Sequence, residues 1–362
     1  MRLLIITQKV DKDDPILGFF CRWIEEFAKH FEAVTVICLE EGRHELSANV
    51  RVLSLGKAKG QKPRLKDKVM YSLRFYRYIR REKKNYDAVF VHMNPIYIVQ
   101  RGLILKLWGK KIALWYTHKA VDWKLRVAAI FADIIFTAAE DSFTLKTTKK
   151  MVVGHGIDVD KYADQPRTKV IGDEPISIIS VGRITPIKNC DTLIEVARIL
   201  KDKWVLKNGQ AAKFNVTFIG SPVTAGDRKY STKVKDLVKK YGLEGPVSFI
   251  GDVKPNDMPA KYAAADITVN LTPTGGLDKV VLESMAAGVP VFTSNKAFAS
   301  YLSDKLIFRE GDAEDLAGKI MVLCARTDSL KAIGIALQKT ARERADVSAL
   351  ISRLSEKIKR LL

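Results

Sequence analysis

Short apolar runs, each followed by a longer stretch with helical periodicity, recur along almost the whole chain, and this alternation restricts the fold more than any other feature. In the first half the runs fall at residues 3–7, 34–39, 50–55, 87–91, 111–116, 131–137 and 151–154, with helices predicted at 19–31 and 96–108. In the second half they fall at 176–181, 214–220, 247–251, 267–271, 289–293 and 306–308. Helices are predicted there at 190–203, 231–241, 258–264, 279–287 and 313–324, and a basic final helix at 348–361. Strands that are apolar throughout and separated by helices imply parallel sheets covered on both faces, with functional loops at the strands' C-terminal ends. A chain of 362 residues exceeds one ordinary core. The polar passage 159–174 reads as a linker between domains at 1–160 and 175–340, with 345–362 as a terminal helix. The predicted class is α/β, two Rossmann-like domains facing each other across a cleft.

Two stretches carry chemistry. In N-L-T-P-T-G-G-L-D-K-V-V-L-E-S-M-A-A-G-V-P-V-F-T-S-N, residues 270–295, an apolar strand enters a loop with Gly275 and Gly276, and a helix follows from about Asp278. Small loop residues admit a ligand to the backbone, and the positive end of the helix favours an anion at Gly276, Leu277, Asp278 and Lys279. Glu283 lies one turn further, where an acceptor-only carboxylate suits sugar hydroxyls. Taken by itself, this is a surface turn with a solvated Glu. Upstream, the strand 176–181 is followed by Arg183 and Lys188, a planar fork and a point charge able to clamp a diphosphate.

The two stretches together, V-G-R-I-T-P-I-K and V-L-E-S-M-A-A-G-V-P-V, resemble the nucleotide-sugar site of retaining glycosyltransferases of family 4, which have the GT-B fold. G-H-G-I-D at 154–158 and F-I-G at 218–220 match further family segments. The resemblance implies that Arg183 and Lys188 hold the donor diphosphate, that residues 276–279 meet it with their backbone, and that Glu283 binds the ribose. It implies that Gly18 is the small residue letting the opposite domain approach the donor, and that His118, in W-Y-T-H-K, acts beside the transferred sugar. His92, at another strand end, is expected to line the acceptor site; His155 reads as a linker residue, and His30 and His44 as surface positions. The family's first Glu of E-x7-E is replaced by Gly275, which leaves the sugar's identity open and keeps a non-catalytic GT-B scaffold as an alternative. A sugar-nucleotide epimerase is the other alternative.

The implied reaction is hexosyl transfer (EC 2.4) from a nucleotide diphosphate sugar to a saccharide or lipid-linked acceptor, in cell-envelope or polysaccharide biosynthesis. The donor is a substrate, no separate cofactor is expected, and metal is not needed where two cations and a helix terminus supply the positive charge. Asp158 and Asp160 have D-x-D spacing but sit beside the linker.

The net charge is +20, and half of it lies at 57–84, with twelve Lys and Arg against Asp67 and Glu82. A helical wheel puts Leu65, Val69, Leu73, Tyr76 and Ile79 on one face and Arg74, Arg77, Arg81 and Lys84 on another. Two readings follow, a basic helix on an anionic membrane surface or a helix docked on the core with a solvated basic face. No nucleic-acid recognition motif accompanies the charge, so nucleic acid is not an expected partner. Four scattered cysteines without C-x-x-C, no apolar run of membrane-spanning length and no cleavable signal pattern lead to a cytoplasmic expectation, with peripheral attachment at the membrane's inner face.

Overall fold

The computed structural model describes residues 1–14, 16–165, 175–205, 209–325 and 327–362. Its chain divides into two units, residues 1–156 with 347–362, and residues 157–346.

In the first unit the chain runs β1 (Arg2–Val10), α1 (Phe19–His30), β2 (Ala33–Glu41), β3 (Val50–Ser54), α2 (Leu65–Arg81), β4 (Ala88–His92), α3 (Ile96–Leu107), β5 (Lys111–Trp115), α4 (Trp123–Phe131), β6 (Ile134–Thr137) and β7 (Lys150–Val152). The strands form one parallel sheet in the order β3-β2-β1-β4-β5-β6-β7. Leu3, Leu4, Ile5 and Ile6 are successive and all fully buried, because helices cover both faces of the sheet. Helix α1 turns Phe20, Trp23, Ile24 and Phe27 inward at helical spacing.

The second unit contains α5 (Val159–Ala163), β8 (Ile176–Val181), α6 (Cys190–Lys203), β9 (Phe214–Ile219), α7 (Ala225–Lys240), β10 (Val247–Phe249), α8 (Met258–Ala263), β11 (Ile267–Asn270), α9 (Lys279–Ala286), β12 (Val291–Thr293), α10 (Ala313–Cys324) and α11 (Thr327–Ala345). Its five strands are parallel in the order β10-β9-β8-β11-β12. The direction of winding reverses between β8 and β11, so the loops at their C-terminal ends diverge and leave a crevice, the usual ligand position in such sheets. The last helix, α12 (Val347–Lys359), packs in the first unit against α1, burying Val347, Leu350, Ile351, Leu354 and Ile358.

Several local expectations change. Residues 159–163 are helix α5 of the second unit instead of linker; 166–174 lie outside the described residues. Residues 306–308 contribute only a single bridge, Ile307 to Thr293, after a turn of 3-10 helix. Helix α7 begins at Ala225, six residues before its predicted start, because Thr224 and Asp227 cap each other's backbone. Helix α2 buries Tyr71, Phe75 and Ile79, so of the five residues assigned to its inner face only Ile79 is buried.

Candidate functional site

The crevice between β8 and β11 is built from backbone turns that only particular residues allow. After β8 the chain passes Gly182 at φ +145, and β9 ends at Gly220 with φ +134. A Cβ on Gly220 would sit 2.1 Å from the Gly182 carbonyl oxygen, so both strand ends approach closely at the price of side chains. Thr185 then hydrogen bonds Asp227, which with the Thr224 backbone holds that carboxyl down at about 2. Residues Pro186–Lys188 form one 3-10 turn, and Asn189, in the left-handed conformation, starts α6 while its Nδ2 donates to Leu271 O at 3.2 Å. The loop after β8 is thereby tied to the loop after β11.

Lys188 is fixed at this junction. Its Nζ donates to Thr272 Oγ1 at 2.7 Å and to Asp278 Oδ2 at 3.1 Å. Asn270 Nδ2 donates to the same carboxylate oxygen at 2.9 Å, and Asn270 Oδ1 accepts from Thr293 at 2.9 Å. Burial alone would push the Asp278 carboxyl up; Lys188, Thr272 and Asn270 more than reverse this and hold it below 3.8. Asp278 occupies the N-cap position of α9 yet makes no side-chain cap hydrogen bond, because its carboxylate is turned to Lys188. The positive end of α9 is left without a side-chain cap. Burial draws the Lys279 amine down to about 8, against the opposing pull of Glu283 and Asp278. Arg183 is exposed and forms no ion pair among the described residues.

Glu283 is not a solvated surface carboxylate. The Tyr262 hydroxyl donates to its Oε2 at 3.1 Å, and Tyr162 also hydrogen bonds it. Burial first, and then Glu283, raise both phenols well above their ordinary range, so both remain donors. The two rings meet edge to face at 5.7 Å, which fixes the Glu283 carboxylate one turn into α9.

The glycine loop is held from beneath by Asn295. This fully buried side chain accepts from the backbone N–H of Gly275 at 3.3 Å and of Ala297 at 3.0 Å, and donates to Gly276 O at 2.8 Å. Asn270, Thr272, Asn295 and Tyr262 carry the site as much as the expected residues do. For Asn270, Thr272 and Asn295 the sequence signal is a polar side chain at the end of an otherwise apolar run, which a buried strand tolerates only with partners; Tyr262, inside α8, carries no such signal.

The expected residues of the first unit fall in different settings. His118 lies beyond β5, exposed, with its ring edge-on to Tyr116 at 5.7 Å. His92 does not line an open surface: it is 2% exposed, stacks on Phe20 at 3.9 Å between ring centroids, and contacts Thr7 Oγ1 at 3.2 Å. The residue after it, Met93, holds φ +62. His155 is a core residue edge-on to Trp23 and Trp115, not a linker position. At Gly18 an added Cβ would lie 2.5 Å from Asp14 O and 2.9 Å from Lys12 O, so its own loop demands the small residue. In the basic segment, Arg74 turns inward to Leu55 O at 2.6 Å and Arg81 pairs with Glu82 at 2.8 Å, whereas Arg77 and Lys84 are exposed.

Residues 162–340 match the family model described as Glycosyl transferases group 1. A D-inositol 3-phosphate glycosyltransferase of Geodermatophilus obscurus is 27% identical over 204 residues, 53% of this chain and 44% of that protein. A sulfoquinovosyl transferase of Arabidopsis thaliana is 25% identical over 265 residues, 70% of this chain and 46% of that protein. The chain spans less than half the length of these curated relatives. Among solved structures, Anabaena HepE in complex with UDP and glucose superposes with a TM-score of 0.76 at 16% identity, covering 99% of each chain. That likeness establishes the fold, two Rossmann-like domains of the GT-B type.

Proposed function

Through residues 162–340 the chain belongs to the glycosyl transferases group 1 family, and from that premise we propose that it is a retaining glycosyltransferase moving a hexosyl group from a nucleoside diphosphate sugar to a saccharide or lipid-linked acceptor. The observation that carries the donor half is the convergence of Lys188, Asp278 and the uncapped start of α9 at the β8–β11 crevice, with Arg183 exposed on the same loop. Negative charge builds on the departing phosphate as the glycosidic bond breaks. Arg183, Lys188, Lys279 and the N–H groups of 276–279 would meet that charge where it develops, which accelerates chemistry instead of merely tightening binding.

Glu283, steadied by Tyr262, has acceptor capacity left for the ribose hydroxyls. In the retaining path the acceptor hydroxyl attacks from the face the phosphate leaves, and its proton passes to the departing phosphate oxygen. No second carboxylate is required, unlike in glycoside hydrolysis, and the positive groups named above do without a metal. His118 is proposed to hydrogen bond the transferred sugar. The setting is cytoplasmic, in cell-envelope or polysaccharide synthesis; among the described residues no helix is long and apolar enough to cross a membrane.

The test is thermal stabilisation of the purified protein by UDP-, GDP-, ADP- and dTDP-sugars, beginning with UDP-glucose, with and without a chelator. A hundredfold excess over Kd adds about 2.7 kcal/mol. Stabilisation by one nucleotide class, lost in Arg183→Ala and Glu283→Ala, supports the donor site; turnover with an acceptor and retained anomeric configuration support the reaction. Gly275 favours a non-catalytic scaffold as second reading, and nucleotide binding without any turnover would select it.

A further inference from the structure

The outer face of α2 is apolar where a solvated helix would be polar. Leu65, Val69, Met70 and Leu73 are 78%, 53%, 43% and 63% exposed, although the same helix buries Tyr71, Phe75 and Ile79 in the core. At about 100° per residue, Val69, Met70 and Leu73 stand opposite the buried stripe, together with Lys66, Arg77 and Arg80, all exposed. The helix's one acid is turned away from this face: Asp67 accepts from the Arg64 backbone N–H at 2.8 Å, closing the first turn. Helix α3, joined to α2 where Arg101 meets Ser72 Oγ at 3.3 Å, also exposes Leu103 and Leu107.

We propose that this face of α2 docks on an anionic lipid surface, with Val69, Met70 and Leu73 entering the boundary between headgroups and acyl chains while Lys66, Arg77 and Arg80 meet lipid phosphates. The charge identifies the occupant. Three bulky apolar chains interleaved with exposed cations suit an apolar layer beneath a negative surface, whereas a protein groove lined only with apolar chains would leave the cations unmatched. The orientation differs from one dictated by charge alone, since Arg74 and Arg81 are engaged within the unit. The proposal does not depend on the sugar-transfer reading.

Vesicle flotation tests it, using the full chain with phosphatidylcholine vesicles and with equimolar phosphatidylcholine and phosphatidylglycerol. The anionic vesicles should carry the protein at low salt and the neutral ones should not. Replacing Lys66, Arg77 and Arg80 by Gln should weaken the partition about a hundredfold. Val69→Asp with Leu73→Asp should abolish it while leaving the melting temperature unchanged, because both side chains are exposed. Unaltered flotation of the Val69→Asp, Leu73→Asp protein overturns the proposal, as does equal capture by neutral vesicles. Two further results would do the same: a fall from dimer to monomer mass in that variant, which would make a second copy the occupant, or capture by duplex DNA but not by vesicles.

Discussion

The amine of Lys188 lies 3.1 Å from the Asp278 carboxylate, so the cation expected to meet a diphosphate is already paired with an anion from the start of α9. An arriving phosphate must draw Lys188 away from Asp278 or share it. Asp278→Asn keeps the hydrogen-bonding shape and removes the charge, and should tighten binding of the free nucleoside diphosphate by about tenfold, or about 1.4 kcal/mol. Titration calorimetry on the two proteins measures this; equal or weaker binding by the variant would show that Asp278 does not compete for the lysine.

The same carboxylate has a stability signature. Its folded value lies below 3.8, so its stabilising contribution is complete above that pH and is lost as pH falls through the depressed value. Asp278→Asn should lower the melting temperature at neutral pH and leave it nearly unchanged well below pH 3.8, so that the acid limb of the profile flattens. Thermal melts across the acid range decide it, and parallel profiles for both proteins would contradict it.

Lys279, drawn down to about 8, is charged below that pH and neutral above it. If it meets donor phosphate, affinity should decline as pH rises through about 8, and Lys279→Arg should remove the decline because guanidinium stays charged. Calorimetry at a series of pH values provides the check, and a decline that persists in the arginine protein would assign it to another group.

Asn295→Ala strips partners from Gly275 N–H, Gly276 O and Ala297 N–H around a fully buried side chain. The expected cost is about 2 kcal/mol, seen by denaturant titration, together with weaker donor binding from a loosened loop. A fully stable variant would mean that the loop finds other partners.

At Gly220 the added methyl of alanine meets the Gly182 carbonyl at 2.1 Å with φ at +134, so Gly220→Ala should cost about 3 kcal/mol by the same measurement. Stability within experimental error of the wild type would show that the two strand ends can part.

The parallel sheets were legible because continuous apolar runs such as Leu3 to Ile6 have few other uses, and the loop after β11 because its glycines precede a helix. What escaped was side-chain direction. The wheel of α2 averages over seventeen residues, whereas the core selects Tyr71, Phe75 and Ile79 by where the sheet lies, which no local pattern records. At a strand end the sequence predicts His92 open to a ligand, but Phe20 covers it, and that contact joins residues far apart in sequence. Helix α4 leaves little local pattern, because Trp123, Leu125, Val127, Ile130 and Phe131 fall on all sides of it and only Ala132 and Asp133 separate it from β6. At the site, Arg183, Lys188 and Glu283 could be named from the sequence, while Asn270, Asn295 and Tyr262, which hold Asp278, the glycine loop and Glu283, come from separate elements.

Because α12 packs on α1 after the chain has traversed residues 157–346, the two units have different histories at the ribosome. The second unit is one uninterrupted segment and has all its parts once residue 346 has emerged. The first unit, although synthesised earlier, must wait with the α1 surface uncovered until Val347, Leu350, Ile351, Leu354 and Ile358 arrive. A chain cut just before α12 would keep the second unit whole yet leave the α1 surface of the older one uncovered, open to proteases and chaperones.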